Sequence, residues 1–482
     1  MPAKIPTQHK TPFVIDARPL NETATSQAGL LAFSRALRSL HLPGLAQANL
    51  KIKRRERGLS EGEFLESLIL LQIAGGTCPE DLSKFEGDAC LERGLGFTPP
   101  RASAALKFLY HFHDEKLVEL ARPPREVQKS FIPAPSTPLE GLQQMQKGLS
   151  ANIARGYEQK RIPLRSATID MDGTIIESHK KTALPHYDGG RGYQPLVAVW
   201  AEADLVVADE FRDGNVPGRQ EPLTCAQIAF DALPEGVRHR SFRGDSACHE
   251  NGLLAWLSSP EREREPGGKI GFAISAVMSA ELGKALKAIP ERGWKTFDTE
   301  KDGTLRQWAE VDFVPGNPCE KKDALPLRYV GLRLLKAQGV LFADGSDRHF
   351  HAIVTNRTED GGQLLDWHRQ KAGTIEHVHD AVKNGLGGGH MPSQRFGANA
   401  AWFKIALMAY NITSALKGLA MDGEMKTAEF KKIRLHLVSI SGRMSRSQCK
   451  LRLRFCAPQK TIARILRVWE AFPLPTQATA FR

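Results

Sequence analysis

The 482-residue chain is long enough for two or three domains, and its 41% hydrophobic and 25% charged residues exclude wholesale disorder. It contains no run of 18 apolar residues and its N-terminus lacks the apolar core of a secretory signal, so the sequence predicts a cytoplasmic protein with no membrane partner. Seven scattered cysteines without a C-x-x-C pair argue against a disulfide framework and a structural zinc site.

Basic residues exceed acidic ones by twelve, which indicates a polyanionic partner such as nucleic acid. The excess is concentrated in runs. Lys53, Arg54 and Arg55 belong to the first run, and residues 431–467 hold eleven Lys and Arg with no Asp or Glu. A solvated surface normally mixes both signs of charge, so we predict that these runs contact DNA phosphates.

The first 125 residues are predicted to form an N-terminal helical domain after an extended arm at residues 1–20. Apolar residues recur three to four apart in segments 65–71 and 106–112, and Ser60 with Glu63 forms a candidate capping box. Such a domain either docks on DNA or mediates dimerisation, and the pattern does not separate the two. Residues 126–160 are predicted to be a proline-containing linker followed by one polar helix.

Residues 161–299 have the pattern of an α/β sheet covered by helices. Strands are expected at 166–172, 195–200 and 205–208, in a strand that ends at Arg243-Gly-Asp245, and at 270–275; helices are expected near 221–233 and 249–257. The next segment, 300–356, contains three further strand patterns and is predicted to be a β-rich insertion.

Residues 357–420 are predicted to carry two helices, one from Thr374 to Asn384 and one from Ala398 to Leu416. The basic C-terminal segment, 421–482, alternates apolar and basic residues at 433–440 and 450–455 around Ser441-Gly442. This alternation predicts a hairpin with one apolar and one cationic face. On the cationic face we expect three residues to contact DNA: Lys450, Arg452 and Arg454.

The most distinctive motif is Asp170-Met-Asp172-Gly-Thr at the end of the first sheet strand. Alternation places both carboxylates on one face, where they repel each other unless a cation or proton lies between them. One interpretation is a haloacid-dehalogenase-like phosphatase, with Asp170 as nucleophile and Gly244-Asp245-Ser246 as a metal motif. The other is a nuclease or transposase in which Asp172, Asp245 and a helical Glu hold two Mg²⁺ ions, with Mn²⁺ as a substitute.

The predicted helix at 374–384 supplies the Glu of the second interpretation. Glu376 would lie in its first turn, and Lys383, seven residues on, would lie two turns along the same face. Such a face offers a metal ligand and a cation for a DNA phosphate. His377 and His379 flank this Glu, but alternate residues of a helix point apart, so we do not expect them to form a paired metal site.

The chain resembles the DDE transposases of bacterial insertion sequences known as transposase DDE domain group 1. The N-terminal strings LSEG and FLYHFH, at 59–62 and 108–113, are also similar to that group. The longer strings that carry the resemblance are 168–174 (TIDMDGT), 192–196 (GYQPL), 208–215 (ADEFRDGN), 242–247 (FRGDSA), 373–380 (GTIEHVHD) and 394–402 (QRFGANAAW).

The resemblance implies an RNase H-like catalytic core interrupted by the β-rich insertion, acting on the inverted-repeat ends of the element and on target DNA, with a homodimer in the synaptic complex. By position, Asp172, Asp245 and Glu376 match the catalytic D, D and E, and Lys383 matches the lysine of the related Y-R-E-K signature. The Tyr and Arg of that signature are not matched cleanly. Trp367, Arg369 and Lys371 lie in that neighbourhood, and Lys371 is a candidate DNA contact. Asp170 is expected to support the metal site, and a DNA-binding relic without catalysis remains an alternative.

Overall fold

A computed structural model describes residues 22–53, 57–124, 127, 129–264, 268–316, 327–447 and 450–474 of the chain. The predicted N-terminal arm and the predicted DNA contacts Arg54 and Arg55 lie outside these residues. The strands, in chain order, are β1 Ala24–Thr25, β2 Ser166–Gly173, β3 Ile176–Glu177, β4 Leu184–Pro185, β5 Arg191–Tyr193, β6 Leu196–Trp200, β7 Leu205–Glu210, β8 His239–Gly244, β9 Ile270–Ser275, β10 Lys295–Thr299, β11 Leu305–Val311, β12 Arg328–Leu335, β13 Arg348–Thr355, β14 Ser441–Ser447 and β15 Lys450–Cys456.

Helices precede the large sheet in the chain, are interspersed between its strands, and follow it. The helices are α1 Leu30–Ser39, α2 Leu42–Asn49, α3 Glu61–Ile73, α4 Ala89–Leu95, α5 Ala102–Tyr110, α6 Glu115–Ala121, α7 Thr137–Gln159, α8 Pro222–Asp231, α9 Asn251–Ser258, α10 Ala280–Ala288, α11 Gly361–Asp380, α12 Phe396–Ala420, α13 Phe430–Ile433 and α14 Gln459–Ala471. The capping box is confirmed, because Ser60 accepts from the Glu63 amide while the Glu63 carboxylate accepts from the Ser60 amide. None of the helices in these ranges is long and apolar enough to cross a bilayer.

One mixed sheet dominates the described part of the chain, with the strand order β10-β11-β12-β13-β9-β8-β2-β6-β7. β2 runs parallel to β8, and β8 runs parallel to β9, whereas β6 and β7 are antiparallel. β10 to β13 extend the sheet on the far side of β9 as antiparallel neighbours. The predicted mixed α/β architecture is therefore present, and the strands predicted between 300 and 356 lengthen the same sheet.

The central strands are buried on both faces, which is why they are nearly continuous apolar runs. All five residues of β6 are buried, and so are five consecutive residues of β2. A parallel pair buried on both faces needs helices on either side. α8 covers β6 and β7 on one face, while α11 crosses β2, β8 and β9.

The long helix α12 is buried around almost its whole circumference and forms the centre of a helical layer. α1, α3, α5, α7 and α14 pack on it, so helices from both ends of the chain share one core. Its polar residues are paired, as burial requires. Asn411 donates to the carbonyl oxygen of Val206 at 2.7 Å and accepts from its amide at 2.8 Å, which ties the helix to the edge strand β7.

The helix predicted to be polar in the segment 126–160 is amphipathic. α7 buries one stripe of apolar side chains, including Leu142, Met145, Leu149 and Ile153, against α2, α12 and β7. The prediction failed because glutamines and lysines on the outward face mask a regular stripe at helical spacing.

The C-terminal hairpin exists, but its predicted bounds are wrong. β14 begins at Ser441, where a turn was predicted, and pairs with β15 through residue 456. The segment before it is helical, with a π-helical stretch at Arg434–Val438. The burial explains the error, because Ile433 and Leu437 are buried while Leu435 between them is 66% exposed. That spacing of four belongs to a helix and not to a strand.

Candidate active site

Two carboxylates meet at the carboxyl-terminal edge of the central parallel pair. Met171 of β2 lies opposite Gly244 of β8, so the next residues, Asp172 and Asp245, follow side by side. Ligands of open α/β sheets gather at this edge. Asp172 accepts from the amide of Gly173 at 2.9 Å, and Asp245 caps a short 3₁₀ turn by accepting from the amide of Ala247 at 3.0 Å. These local bonds fix both carboxylates without using all of their oxygen lone pairs.

Electrostatics at this edge favour a cation. Burial raises the pKa of Asp245, and the nearby negative charge of Asp172 raises it further. Lys371 of α11 and two backbone hydrogen bonds act in the opposite direction. Two like charges held in a half-buried site lose part of their mutual repulsion when a divalent cation binds between them.

Lys371 is the internal cation of the site. Its ammonium lies 3.2 Å from Oδ2 of Asp172, and its side chain is only 12% exposed. A lysine in this position is directed at the carboxylate, so its predicted role as a DNA contact requires that it leave Asp172. Lys371, which the sequence predicts to contact DNA, thus lies beside the candidate metal ligand Asp172.

Asp170, two residues earlier, lies in a different environment. It is fully buried and receives two hydrogen bonds from Arg243, from Nε at 2.6 Å and from Nη2 at 2.8 Å. The hydroxyl of Thr374 also donates to it. A bidentate guanidinium pair is the geometry that best compensates a buried carboxylate. Both oxygens of Asp170 are thereby engaged.

The same Arg243 joins the sheet to α11. Its Nη1 donates to the carbonyl oxygen of Trp367 at 2.7 Å, and its guanidinium lies 5.1 Å from the centre of the Trp367 ring. His368 makes a second link, with its Nε2 3.0 Å from the carbonyl oxygen of Gly244. Burial lowers the pKa of His368 to about 4, so this ring is neutral and donates at physiological pH. These contacts fix how far α11 lies along β2 and β8.

The helix that carries Glu376 is longer than predicted. α11 begins at Gly361, where Asp360 accepts from the amides of Gly362 and Gln363, so Glu376 lies in the last part of a 20-residue helix and not in a first turn. The prediction erred because Gly373-Thr374 resembles a helix start. Thr374 is instead inside the helix, where its hydroxyl bonds to the Lys371 carbonyl at 3.0 Å and to Asp170.

Lys383 does not lie on a regular continuation of the Glu376 face. The winding changes to a π-helix at Ala381–Gly385, which alters the angle between residues seven apart. The ammonium of Lys383 lies 3.3 Å from the hydroxyl oxygen of Thr174, two residues beyond Asp172. Lys383 is therefore near the carboxylate pair although the predicted helix geometry was wrong.

Glu376 is exposed on the flank of α11, whereas its neighbour Ile375 is fully buried. Within the described ranges, no three His, Cys, Asp or Glu residues are arranged so that they could hold one metal ion. The structure thus brings Asp172 and Asp245 together with Lys371 and does not place Glu376 with them.

His379 is the residue at this site that sequence reasoning set aside. It is half-buried, it lies within electrostatic range of Asp172, and its buried Nε2 has no hydrogen-bond partner among the described residues. Burial lowers its pKa to about 4. The prediction that His377 and His379 point apart does not bear on this proximity, because that prediction concerns a pair of histidines and Asp172 affects His379 by itself. Only the packing of α11 on the sheet reveals it.

The predicted DNA contacts outside the sheet edge divide into two groups. Lys53 donates to the carbonyl oxygen of Leu59 at 2.6 Å, so its ammonium closes a loop at the start of α3. Lys450, Arg452 and Arg454 alternate along β15 on one exposed face, and within the described residues none has an acidic partner. The opposite face of the hairpin carries Leu453 and Phe455 packed on the core. Its cationic and apolar faces are as predicted.

Comparison with known proteins identifies the class of this molecule. The family model of transposase DDE domain group 1 matches residues 14–470, nearly the whole chain. The chain therefore belongs to the transposase DDE domain group 1 family, which confirms the resemblance seen in the sequence strings.

A solved structure, the piggyBac transposase synaptic complex with hairpin DNA, is similar over 85% of this chain and 80% of that chain, at 12% sequence identity and a TM-score of 0.42. A search of curated proteins found no match.

Proposed function

We propose that this protein is a DNA transposase that cleaves the inverted-repeat ends of an insertion sequence and joins them to target DNA, with Mg²⁺ or Mn²⁺ held by Asp172, Asp245 and Glu376. The observation that carries the proposal is the pair Asp172 and Asp245, which end two adjacent parallel strands in a chain of a DDE transposase family. Carboxylate oxygens are the ligands that Mg²⁺ prefers, so this pair fits the ion.

The strand order supports an RNase H-like core as part of the same proposal. β2 lies at the centre with antiparallel β6 on one side and parallel β8 on the other. The first Asp ends the first strand, the second follows a later strand, and the Glu belongs to a helix on the sheet. We propose residues 161–299 and 357–420 as the two parts of this core, 300–356 as the insertion, and 1–125, 126–160 and 421–482 as the helical domain, linker and basic segment.

Divalent ions at such a site activate the attacking water or 3′-hydroxyl and stabilise the leaving oxygen. The residues of the chain have separable tasks. Asp172 and Asp245 would hold the cation, Lys371 balances the charge of Asp172 in the metal-free site, and Lys383 beside Thr174 is placed to meet a DNA phosphate. Because Arg243 and His368 fix the first part of α11, Glu376 would join the two aspartates by a turn of its side chain or by movement of the last turn of the helix. The winding changes to a π-helix directly after that turn, at Ala381.

Asp170 supports the site from within the sheet. Its pair with Arg243 fixes α11, and through that helix it positions Lys371 and Glu376. The same pair argues against the phosphatase alternative. A nucleophilic carboxylate needs an open path to phosphorus, whereas Asp170 is fully buried with both oxygens bonded.

The test is cleavage of a linear DNA that carries the sequences flanking the gene, with and without Mg²⁺. We expect Asp172→Asn, Asp245→Asn and Glu376→Gln each to lower the rate of nicking by about a thousandfold or more. Each substitution removes a carboxylate that would bind the metal ion, and the metal ion would stabilise the negative charge of the transition state. Asp312→Asn, an exposed aspartate at the end of β11, is the matched control and should cut normally. Normal cutting by Asp172→Asn or Asp245→Asn would refute the proposal, and normal cutting by Glu376→Gln alone would remove Glu376 from the site. If the unsubstituted protein binds these ends without cutting them under any divalent ion, it is a DNA-binding relic.

We further propose that the cationic face of the C-terminal hairpin binds duplex DNA outside the cleavage site, in a homodimer that joins two ends. Lys450, Arg452 and Arg454 follow one strand at a spacing of two residues, about 7 Å, which is close to the phosphate spacing along one DNA strand.

Replacing all three of these hairpin residues with Ala should weaken duplex binding and reduce the slope of log affinity against log salt by about 3, because each neutralised phosphate contributes about 0.9. Fluorescence anisotropy from 50 to 300 mM salt would measure it. An unchanged slope would assign this face another role.

A further inference from the structure

A groove is lined in part by Asp245, whereas Asp172 is not among its lining residues. It has a volume of about 960 Å³, and the end of β8, the segment after β7, strands β11 to β13 and α11 line it. Arg219, Tyr187 and Arg306 are among its lining residues. The volume is at the upper end of the range for ligand sites. One end of the groove opens on a candidate metal ligand.

Arg306 of β11, which lines this groove, has an unused donor. The residue is only 8% exposed, yet no group in the described part of the chain accepts a hydrogen bond from its Nε. One other nitrogen, Nη1, donates to Glu300 at 3.1 Å. Buried guanidinium donors are nearly always satisfied, so an unpaired one that lines a cavity points to a ligand that supplies the acceptor.

Asp298 is a loose counterion of Arg306 and Arg369. Its Oδ2 lies 3.8 Å from Nε of Arg306 and 3.6 Å from Nη1 of Arg369, both longer than a good hydrogen bond. The register of β10 against β11 shifts between Thr296 and Asp298, and such a bulge redirects a side chain. One carboxylate, 42% exposed, thus serves two guanidinium groups without satisfying either.

The lining of the groove also includes a free cation and an exposed ring. Arg219 is exposed, and within the described residues no acidic side chain pairs with it. Tyr187 is 77% exposed. The lining also includes the apolar side chains of Leu332 and Ile353. Guanidinium groups beside aromatic and apolar side chains suit a nucleic-acid strand, which carries both phosphates and bases, better than a purely ionic ligand.

We propose that this groove holds the DNA strand next to the bond that is cut, with Arg306 and Arg219 contacting its phosphates, and that Asp298 is a built-in competitor that the phosphate displaces from Arg306. The proposal rests on the transposase function and adds a DNA path along the outer strands of the sheet. A phosphate offers several acceptor oxygens, whereas Asp298 offers one oxygen that is too distant for a good hydrogen bond. Replacement of Asp298 by a DNA phosphate would therefore give Nε of Arg306 an acceptor.

The test is binding of a fluorescein-labelled 40-base-pair duplex, followed by anisotropy without a divalent ion so that nothing is cut. Asp298→Asn should tighten binding by about threefold, the scale of an exposed ion pair that no longer competes. Asp302→Asn is the matched control, because it removes an aspartate of the same hairpin that pairs with Lys336 outside the groove. It should leave the affinity unchanged.

Arg306→Met should weaken binding by about tenfold, the scale of a charge-assisted hydrogen bond. Because Arg306 is buried, a melting curve must accompany this variant, and Arg219→Met, at an exposed position, gives a second measurement if it fails to fold. Weaker or unchanged binding by Asp298→Asn, or unchanged binding by Arg219→Met, would overturn the groove assignment. If the groove assignment fails in this way but Asp172→Asn still abolishes cutting, the proposed transposase function stands. If the unsubstituted protein does not bind DNA, both the groove assignment and the transposase function are refuted.

Discussion

Two regions of one strand, the interior of β2 around Asp170 and its outer edge around Asp172, show how burial divides identical residues into different tasks. Asp170 is 0% exposed and paired with Arg243 through two short hydrogen bonds. Asp172 is partly exposed, paired with one lysine at 3.2 Å, and close enough to Asp245 to raise its pKa. The two lie only two residues apart.

The difference teaches that charge compensation, and not residue type, decides which carboxylate is available for chemistry. A buried charge must be fully paired or it destabilises the fold. A carboxylate at a sheet edge tolerates incomplete pairing, because solvent and an incoming cation share the cost. The edge can therefore hold repelling charges ready for a metal, whereas the interior cannot.

The largest expected effect separates the two aspartates by the same substitution. Asp170→Asn should lower the free energy of unfolding by about 3–5 kcal/mol, because it leaves Arg243 buried without its counterion. Asp172→Asn should change stability by about 1 kcal/mol or less, since its ion pair is partly exposed and its loss also relieves repulsion with Asp245. Urea unfolding followed by tryptophan fluorescence measures both. Equal losses at the two positions would contradict the division of roles.

A smaller effect is expected when Lys371 is replaced by Met. Without the internal cation, Mn²⁺ no longer competes for Asp172, so its affinity at pH 8 should rise by about fivefold, the upper scale of such an ion pair. Free Mn²⁺ can be followed by electron paramagnetic resonance. Lys336→Met, which removes a lysine paired with Asp302 on the outer strands, is the control and should bind as the parent does. Weaker binding in Lys371→Met would mean that the lysine assists the metal and does not compete with it.

The smallest effect is a shift with pH. Metal binding needs the deprotonated carboxylate. Because the pKa of Asp245 is raised, this residue stays protonated up to a higher pH than an ordinary aspartate does. Mn²⁺ affinity should thus fall as the pH drops through that raised pKa. Since Lys371 lowers the pKa of Asp245, the midpoint in Lys371→Met should lie at a higher pH than in the parent. A midpoint that moves downward would break the electrostatic link between these groups.

Local patterns predicted most of the secondary structure and the candidate carboxylates. Alternation and apolar runs located β2, β6 and β8, and the Ser60–Glu63 spacing located the start of α3. Predictions failed where a local signal was ambiguous. Gly373-Thr374 looked like a helix start, and the alternation at 433–440 looked like a strand, because short segments of similar composition suit either structure.

What the sequence by itself determined is the family, the order of its strands and helices, and the presence of Asp172, Asp245 and Glu376. Only the tertiary structure decided that Asp170 is neutralised by Arg243, that Lys371 and His379 approach Asp172, and that Glu376 lies on an exposed flank. The reason is physical. Secondary structure follows from side-chain periodicity over a few residues, whereas the partner of a charge is set by packing between segments that lie about 70 to 200 residues apart in the chain.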